Sequence, residues 1–150
     1  MGATDCSFKV NGKTREALEK NFWKHVKSVA RTIGSRDLGY SGSAAEFSNL
    51  TITNRVFNSY EEMQEFIENK GKNDAYLVQI KIIKDSPTIE RWIKEDRELS
   101  NMIYRSNDEK FKARTRKVVE KLREKVKAAR LRKAEASKRT EWVACGWVSE

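Results

Sequence analysis

The sequence predicts a single α+β domain over residues 1–150, with a small, mainly antiparallel sheet and helices on one face. Two observations lead to this prediction. Segments with strand-like alternation are separated by segments with helical periodicity, and the last residues of the chain return to strand character. We expect a core of residues 1–105 and 141–150, with one long basic helix over residues 107–139.

An opening strand and an amphipathic helix are predicted at the start of the chain. Residues 7–10 indicate a short strand that ends at the turn dipeptide Asn11-Gly12. Thr14 has the character of a helix N-cap. Apolar residues then recur every three or four positions, as on one face of a helix. They are Leu18, Phe22, Val26, Val29 and Ile33.

Residues 44–83 predict strands on either side of a second helix. Segment 44–57 indicates one or two strands, with a hairpin turn near Ser48 in the second case. Ser59 and Glu62 have the spacing of a capping box, which predicts that a helix begins there. Alternation over residues 75–83 predicts the clearest strand of the chain, with one covered face and one partly wet face.

Two further helices and a final strand complete the prediction. Pro87 follows Ser86, and proline suits the first turn of a helix. Ser106 and Glu109 form a second capping-box pair, which marks either a new helix or a bend. A last helix over residues 107–138 would be about 48 Å long, more than the roughly 30 Å width of such a domain. We therefore expect it to project or to pack on another copy.

The final segment, residues 141–148, returns to strand character and carries two tryptophans. Because such apolar side chains rarely extend into water, we expect this strand to dock on the sheet. Gly146 would allow a bend or a close approach of another chain segment.

The positive charge is confined to one segment. The chain carries 31 basic and 22 acidic residues, a net charge of +9. Residues 107–140 contain 14 basic and 5 acidic residues, so the rest of the chain is neutral. Such a field attracts phosphates, which predicts binding to nucleic acid or another polyanion. The alternative is a solvated helix or a self-association arm. The candidate polyanion-binding residues are Arg114, Lys117, Lys121, Arg123, Lys127, Arg130 and Arg132.

A glycine-rich loop and several aromatic residues are further candidates for ligand contacts. Arg36, Tyr40, Ser41 and Gly42 could hold a phosphate or a nucleotide through backbone N–H groups and a cation. An ordinary connecting loop is the alternative, because the P-loop lysine is missing. Exposed aromatic rings could stack on bases, and core packing is the alternative for each of them. These rings belong to Tyr40, Phe47, Trp92, Tyr104, Trp142 and Trp147.

The sequence offers no catalytic grouping. His25 is the only histidine, and Cys6 and Cys145 lie at opposite ends of the chain. We therefore predict a non-enzymatic protein without a metal or cofactor. A carboxylate-based nuclease remains the alternative, because its ligands would meet only in three dimensions. Its candidate ligands are Asp5, Asp37, Asp74, Asp85 and Asp96.

The location of the protein is predicted from what its sequence lacks. No apolar run approaches the roughly 18 residues that cross a bilayer. The first ten residues have neither the basic start nor the apolar stretch of a signal peptide. We expect a cytoplasmic protein that does not contact a membrane.

Two stretches of the chain resemble small uncharacterised proteins encoded by bacteriophages and prophages. The resemblance covers about the first 80 residues and the last ten, and it excludes the basic helix. It rests on Gly12-Lys13-Thr14, Glu16-Ala17 and the run Gly39-Tyr40-Ser41-Gly42-Ser43-Ala44-Ala45-Glu46. It implies action in a host cytoplasm. It also implies an alternative function, an anti-defence module that binds a host protein or sequesters a nucleotide signal and that could form an oligomer through the long helix.

Overall fold

The computed structural model describes residues 3–33 and 42–149 of the 150. Strands and helices follow one another in the order that the sequence predicts, and the α+β class is confirmed. The elements are β1 (Ala3–Val10), α1 (Arg15–Ile33), β2 (Asn49–Phe57), α2 (Tyr60–Ile67), β3 (Asp74–Lys81), α3 (Pro87–Arg105), α4 (Glu109–Ala136) and β4 (Thr140–Ser149). A short 3₁₀ turn, Ala44–Glu46, precedes β2.

The four strands form one sheet in the order β1-β4-β3-β2. β4 pairs antiparallel with both β1 and β3, whereas β2 pairs parallel with β3. The sheet is therefore mainly antiparallel, as expected. The C-terminal strand docks in the interior of the sheet, and its residues Val143, Ala144 and Cys145 are fully buried.

The helices α1 and α2 cover opposite faces of the sheet, which corrects the expectation that the helices share one face. Leu77 and Val78 are neighbours on β3, so their side chains point to opposite faces. Leu77 belongs to a core cluster with Phe22 of α1, and Val78 belongs to a second cluster with Met63 of α2. On β3, buried apolar side chains lie on both faces, and the face that begins with Ala75 and Leu77 becomes half-exposed at Gln79 and Lys81, as expected of a partly wet face.

Segment 44–57 contains one strand, so the hairpin alternative near Ser48 is wrong. The Ser48 N–H donates to the carbonyl of Asn73 at 2.9 Å, which directs the chain into parallel pairing with β3. The register shifts between Ile52 and Val56, as at a β-bulge. This irregularity lies on the edge strand β2.

Gly146 allows the close approach that the sequence suggested. A Cβ atom at this position would lie 2.4 Å from the carbonyl oxygen of Asp74 and 2.7 Å from the ring of Phe47. The Asp74 carbonyl is fixed by the pairing of β3 and β4, and the Phe47 ring is buried in the core, so only glycine fits here.

The chain divides into two compact units. The sheet unit contains the described residues up to Ile82 and from Lys138 onward, and the hairpin unit contains Ile83–Ser137. In the hairpin unit α3 and α4 run antiparallel. α4 has 28 residues and is about 42 Å long, somewhat shorter than predicted.

Candidate nucleic-acid interface

The helical segment is interrupted between α3 and α4, and Asp108 caps the start of α4. The Ser106 N–H donates to the carbonyls of Met102 (3.1 Å) and Ile103 (3.3 Å), which closes α3. The carboxylate of Asp108 accepts hydrogen bonds from the N–H groups of Lys110 (3.0 Å) and Phe111 (3.3 Å). The capping pair predicted at Ser106 and Glu109 is therefore shifted. Aspartate takes the N-cap position because its charge suits the positive end of the helix dipole.

The buried positions of α4 define its inner side. Thr115, Val119 and Leu122 are buried at spacings of four and three residues, and Val126 continues the spacing as a half-buried residue. α3 carries a matching stripe that includes Ile89, which is 2% exposed. Because helix faces repeat every 3.6 residues, positions outside this stripe point to solvent.

A row of cations lies on a solvent-facing side of α4, outside its buried stripe. Its members follow one another at spacings of four, three, four, four and seven residues, so they share one face at 100° per residue. All of them are exposed. We call this row the outer stripe, and it consists of Lys110, Arg114, Lys117, Lys121, Lys125 and Arg132. From first to last residue it extends about 33 Å along the helix.

The middle of the outer stripe has no internal partner. Arg114, Lys117 and Lys121 form no hydrogen bond or ion pair with any described part of the chain. Lys125 places its ammonium 5.9 Å from the centre of the Trp92 ring. Arg132 donates from Nε to the carbonyl of Ala128 at 3.4 Å, a contact within its own helix.

Two of the seven predicted binding residues instead pair with aspartates of the hairpin unit, Asp96 in α3 and Asp85 just before α3. Arg123 donates from Nε and Nη2 to the carboxylate of Asp96 at 2.9 and 3.3 Å. Arg130 donates from the same two nitrogens to Asp85 at 3.0 and 2.7 Å. These hydrogen bonds lower the pKa of both carboxyl groups. Both arginines remain charged, but each is held on the flank of the hairpin by a bidentate pair.

The other predicted positions fall into two groups. Arg114, Lys117, Lys121 and Arg132 belong to the outer stripe, and exposed Lys127 takes part in an interaction within the chain. The seven named residues omit two members of the stripe, Lys110 and Lys125. Sequence spacing could have found them, because both continue the four-three repeat of their neighbours.

The glycine-rich loop is described only at its end. Gly42 has a positive φ of 65°. Its N–H donates to the Glu46 carboxylate at 2.6 Å, so this N–H already has a partner inside the chain. Arg36, Tyr40 and Ser41 lie outside the described residues, and the predicted phosphate contact stays a prediction.

Among the aromatic residues proposed for stacking, Tyr104 differs from the others. Phe47 is buried, and Trp142 and Trp147 pack against the two core clusters of the sheet unit. Trp92 is half-buried beside Lys125. Tyr104 is 90% exposed. Tyr40 lies outside the described residues.

The carboxylates considered for a metal site have other partners. Asp5 accepts a hydrogen bond from Gln64, Asp74 accepts one from Asn49, and Asp85 and Asp96 hold the two arginines. Asp37 lies outside the described residues. Within residues 3–33 and 42–149, no three His, Cys, Asp or Glu side chains come together as metal ligands.

Comparison of the chain with protein-family models, with curated proteins and with solved structures finds no match. In the part of the chain that the structure describes, no helix combines the length and apolar character needed to cross a bilayer.

Proposed function

We propose that this protein is a non-enzymatic, cytoplasmic binding protein whose α4 engages the phosphate backbone of nucleic acid. The outer stripe is the observation that carries the proposal. α4 contains 12 basic and 4 acidic residues, a net charge of +8. Three cations in the middle of the stripe have no partner in the described chain, so phosphates can approach them without breaking an existing ion pair.

The composition of the outer stripe favours backbone contacts over base recognition. Four of its six residues are lysines, which act as flexible point charges. Phosphate contacts position a protein on nucleic acid but carry no sequence information. We therefore expect binding with little dependence on sequence and a strong dependence on salt.

The test is a salt titration of binding to labelled 20-base-pair duplexes and 20-nucleotide single strands of DNA and RNA. For duplex DNA, log K should fall linearly with log salt, with a slope of about −0.9 for each phosphate neutralised. The triple variant Arg114→Gln, Lys117→Gln, Lys121→Gln should bind duplex DNA more than tenfold more weakly. Its slope should be shallower by up to about 0.9 for each phosphate that the protein no longer neutralises.

A matched control removes three charges from another helix. Lys20, Lys24 and Lys27 of α1 are exposed, and their replacement by Gln changes the net charge by the same amount. Equal weakening by both triple variants would show that net charge alone drives binding and would contradict the role of α4. Arg123 and Arg130 are left intact, because their loss would also break the hairpin ion pairs.

An anti-defence module that binds a host protein, or a second copy of this chain, is the alternative. Val118 and Leu131 of α4 are 46% and 42% exposed, and such apolar side chains suit a protein interface. Absence of binding to all nucleic-acid probes at 50 mM salt would favour this alternative. Light scattering would then show whether the partner is a second copy.

A further inference from the structure

Tyr104 is far more exposed than the other large apolar side chains that the structure describes. It is 90% exposed, and the next most exposed, Met102, is 50% exposed. Tyr104 is the penultimate residue of α3 and directly follows Ile103, a half-buried residue. One residue is a rotation of 100°, which turns the ring away from the inner side of α3. Its ring therefore contributes little to the packing of the hairpin.

The end of the hairpin that carries Tyr104 has positive charges free to meet an anion. Asp108 uses its carboxylate to cap α4, and Glu109 forms an ion pair with Lys112 at 3.7 Å. Arg105 is exposed beside the tyrosine. The outer stripe begins at Lys110, the second residue of α4, and only the three residues 106–108 connect α3 to α4. A nucleic-acid backbone that lies along the outer stripe would therefore reach the end of the hairpin that carries Tyr104.

We propose that Tyr104 stacks on an unpaired base of a nucleic acid whose backbone the outer stripe holds. The proposal rests on the proposed function and assigns its substrate class, single-stranded nucleic acid. Single-strand binding proteins combine cations that hold the backbone with exposed aromatic rings that stack on bases, because every base has a flat face whatever the nucleotide sequence. In a duplex the bases are already stacked on one another, so the ring has no comparable partner there.

The experiment compares Tyr104→Ala with the wild-type protein on two probes, a labelled 20-nucleotide oligothymidine and a 20-base-pair DNA duplex. Tyr104→Ala should weaken binding to oligothymidine by roughly tenfold, the effect of removing one stacked base–ring pair. The salt slope should not change, because no charge is removed. Binding to the duplex should stay the same.

Two control variants separate stacking from a general contact. Tyr104→Phe keeps the ring and should bind oligothymidine like the wild-type protein. Met102→Ala removes a neighbouring exposed apolar side chain that has no flat ring, and it should also leave binding unchanged. Equal weakening by Met102→Ala and Tyr104→Ala, or equal weakening on both probes, would overturn the stacking assignment.

The outcomes also separate this inference from the proposed function. If the outer-stripe triple variant weakens binding while Tyr104→Ala leaves oligothymidine binding unchanged, the stripe keeps its role and the stacking proposal fails. If the wild-type protein binds neither probe at 50 mM salt, the proposed function fails and the stacking proposal fails with it.

Discussion

The sheet unit and the hairpin unit divide burial and charge unequally. Among the described residues, sixteen buried apolar side chains lie in the sheet unit and only four in the hairpin unit. The hairpin segment, residues 83–137, carries 17 basic and 10 acidic residues, whereas the remaining residues carry 14 and 12. The sheet unit therefore supplies most of the buried core, and the hairpin unit carries most of the excess positive charge.

This division has a consequence for local stability. Regions with few buried apolar contacts open at a lower free energy than the global unfolding transition. In the hairpin, a narrow apolar stripe and the partly exposed Arg123–Asp96 ion pair join α3 to α4, and the Arg130–Asp85 ion pair joins α4 to the residues just before α3. We therefore expect α3 and α4 to exchange their amide hydrogens faster than β3 and β4.

Truncating one leucine in each unit should give the largest difference in stability between the two units. Leu77 is fully buried in the sheet, and Leu77→Ala should lower the free energy of unfolding by about 2–5 kcal/mol through reduced burial and a cavity. Leu131 of α4 is 42% exposed, and Leu131→Ala should change the free energy of unfolding by less than about 0.5 kcal/mol. Urea unfolding followed by circular dichroism measures both. Similar losses would mean that the hairpin contributes as much core as the sheet.

A buried carboxylate should give the next largest effect. Glu46 is 7% exposed and accepts hydrogen bonds from the N–H groups of Gly42 (2.6 Å), Ser43 (3.3 Å) and Ser149 (3.1 Å). Glu46→Gln places an amide NH₂ against at least one of these donors, so we expect a loss of about 1–3 kcal/mol.

Glu124→Gln provides the matched control for this substitution in the hairpin. Glu124 is exposed on α4, and the change should cost less than about 0.5 kcal/mol. The same urea titration compares the two variants. An equally small loss at Glu46 would show that its hydrogen bonds, including the one from Ser149 of β4, contribute little to the stability of the sheet unit.

Local signals in the sequence predict the elements, because their causes lie within a few residues. Ser59 and Ser86 accept hydrogen bonds from N–H groups three residues later, as helix caps do. Ser43 and Glu46 also have capping-box spacing, which the sequence shows. The Glu46 bond to Ser149 joins residues 103 positions apart, and no local pattern predicts such a pairing.

The candidate interface was predictable in composition but not in detail. Charge counting located the basic helix, and helical spacing alone separates the outer stripe from the inner side. Neither charge counting nor helical spacing could show that Arg123 and Arg130 meet aspartates 27 and 45 residues away, because those contacts depend on how the two arms of the hairpin align. The covering of the sheet faces was not predictable for the same reason, since alternation shows two faces but not what packs on each.

The smallest expected effect concerns the two ion pairs of the hairpin. The pKa values of Asp85 and Asp96 are lowered, chiefly by hydrogen bonds from Arg130 and Arg123. A carboxyl group with a lower pKa in the folded state stabilises that state above its unfolded pKa, which is about 3.9. This stabilisation is lost as the pH falls through the folded pKa. The contribution should therefore be constant from pH 7 to about pH 5 and should decline below about pH 4.

Amide hydrogen exchange of α4 in the double variant Asp85→Asn, Asp96→Asn tests this pH dependence. At pH 7 the variant should open slightly more easily than the wild-type hairpin, and the Asp85–Arg130 pair should contribute no more than about 1 kcal/mol, because both pairs are partly exposed to solvent. In urea unfolding, the difference in unfolding free energy between the two proteins should be smaller at pH 2–3 than at pH 7, because the wild-type carboxylates become protonated at low pH. Glu98→Gln, at an exposed carboxylate of α3, is the control and should leave α4 exchange unchanged. A difference between variant and wild type that stays constant down to pH 2 would mean that the aspartates act through packing and not through their charge.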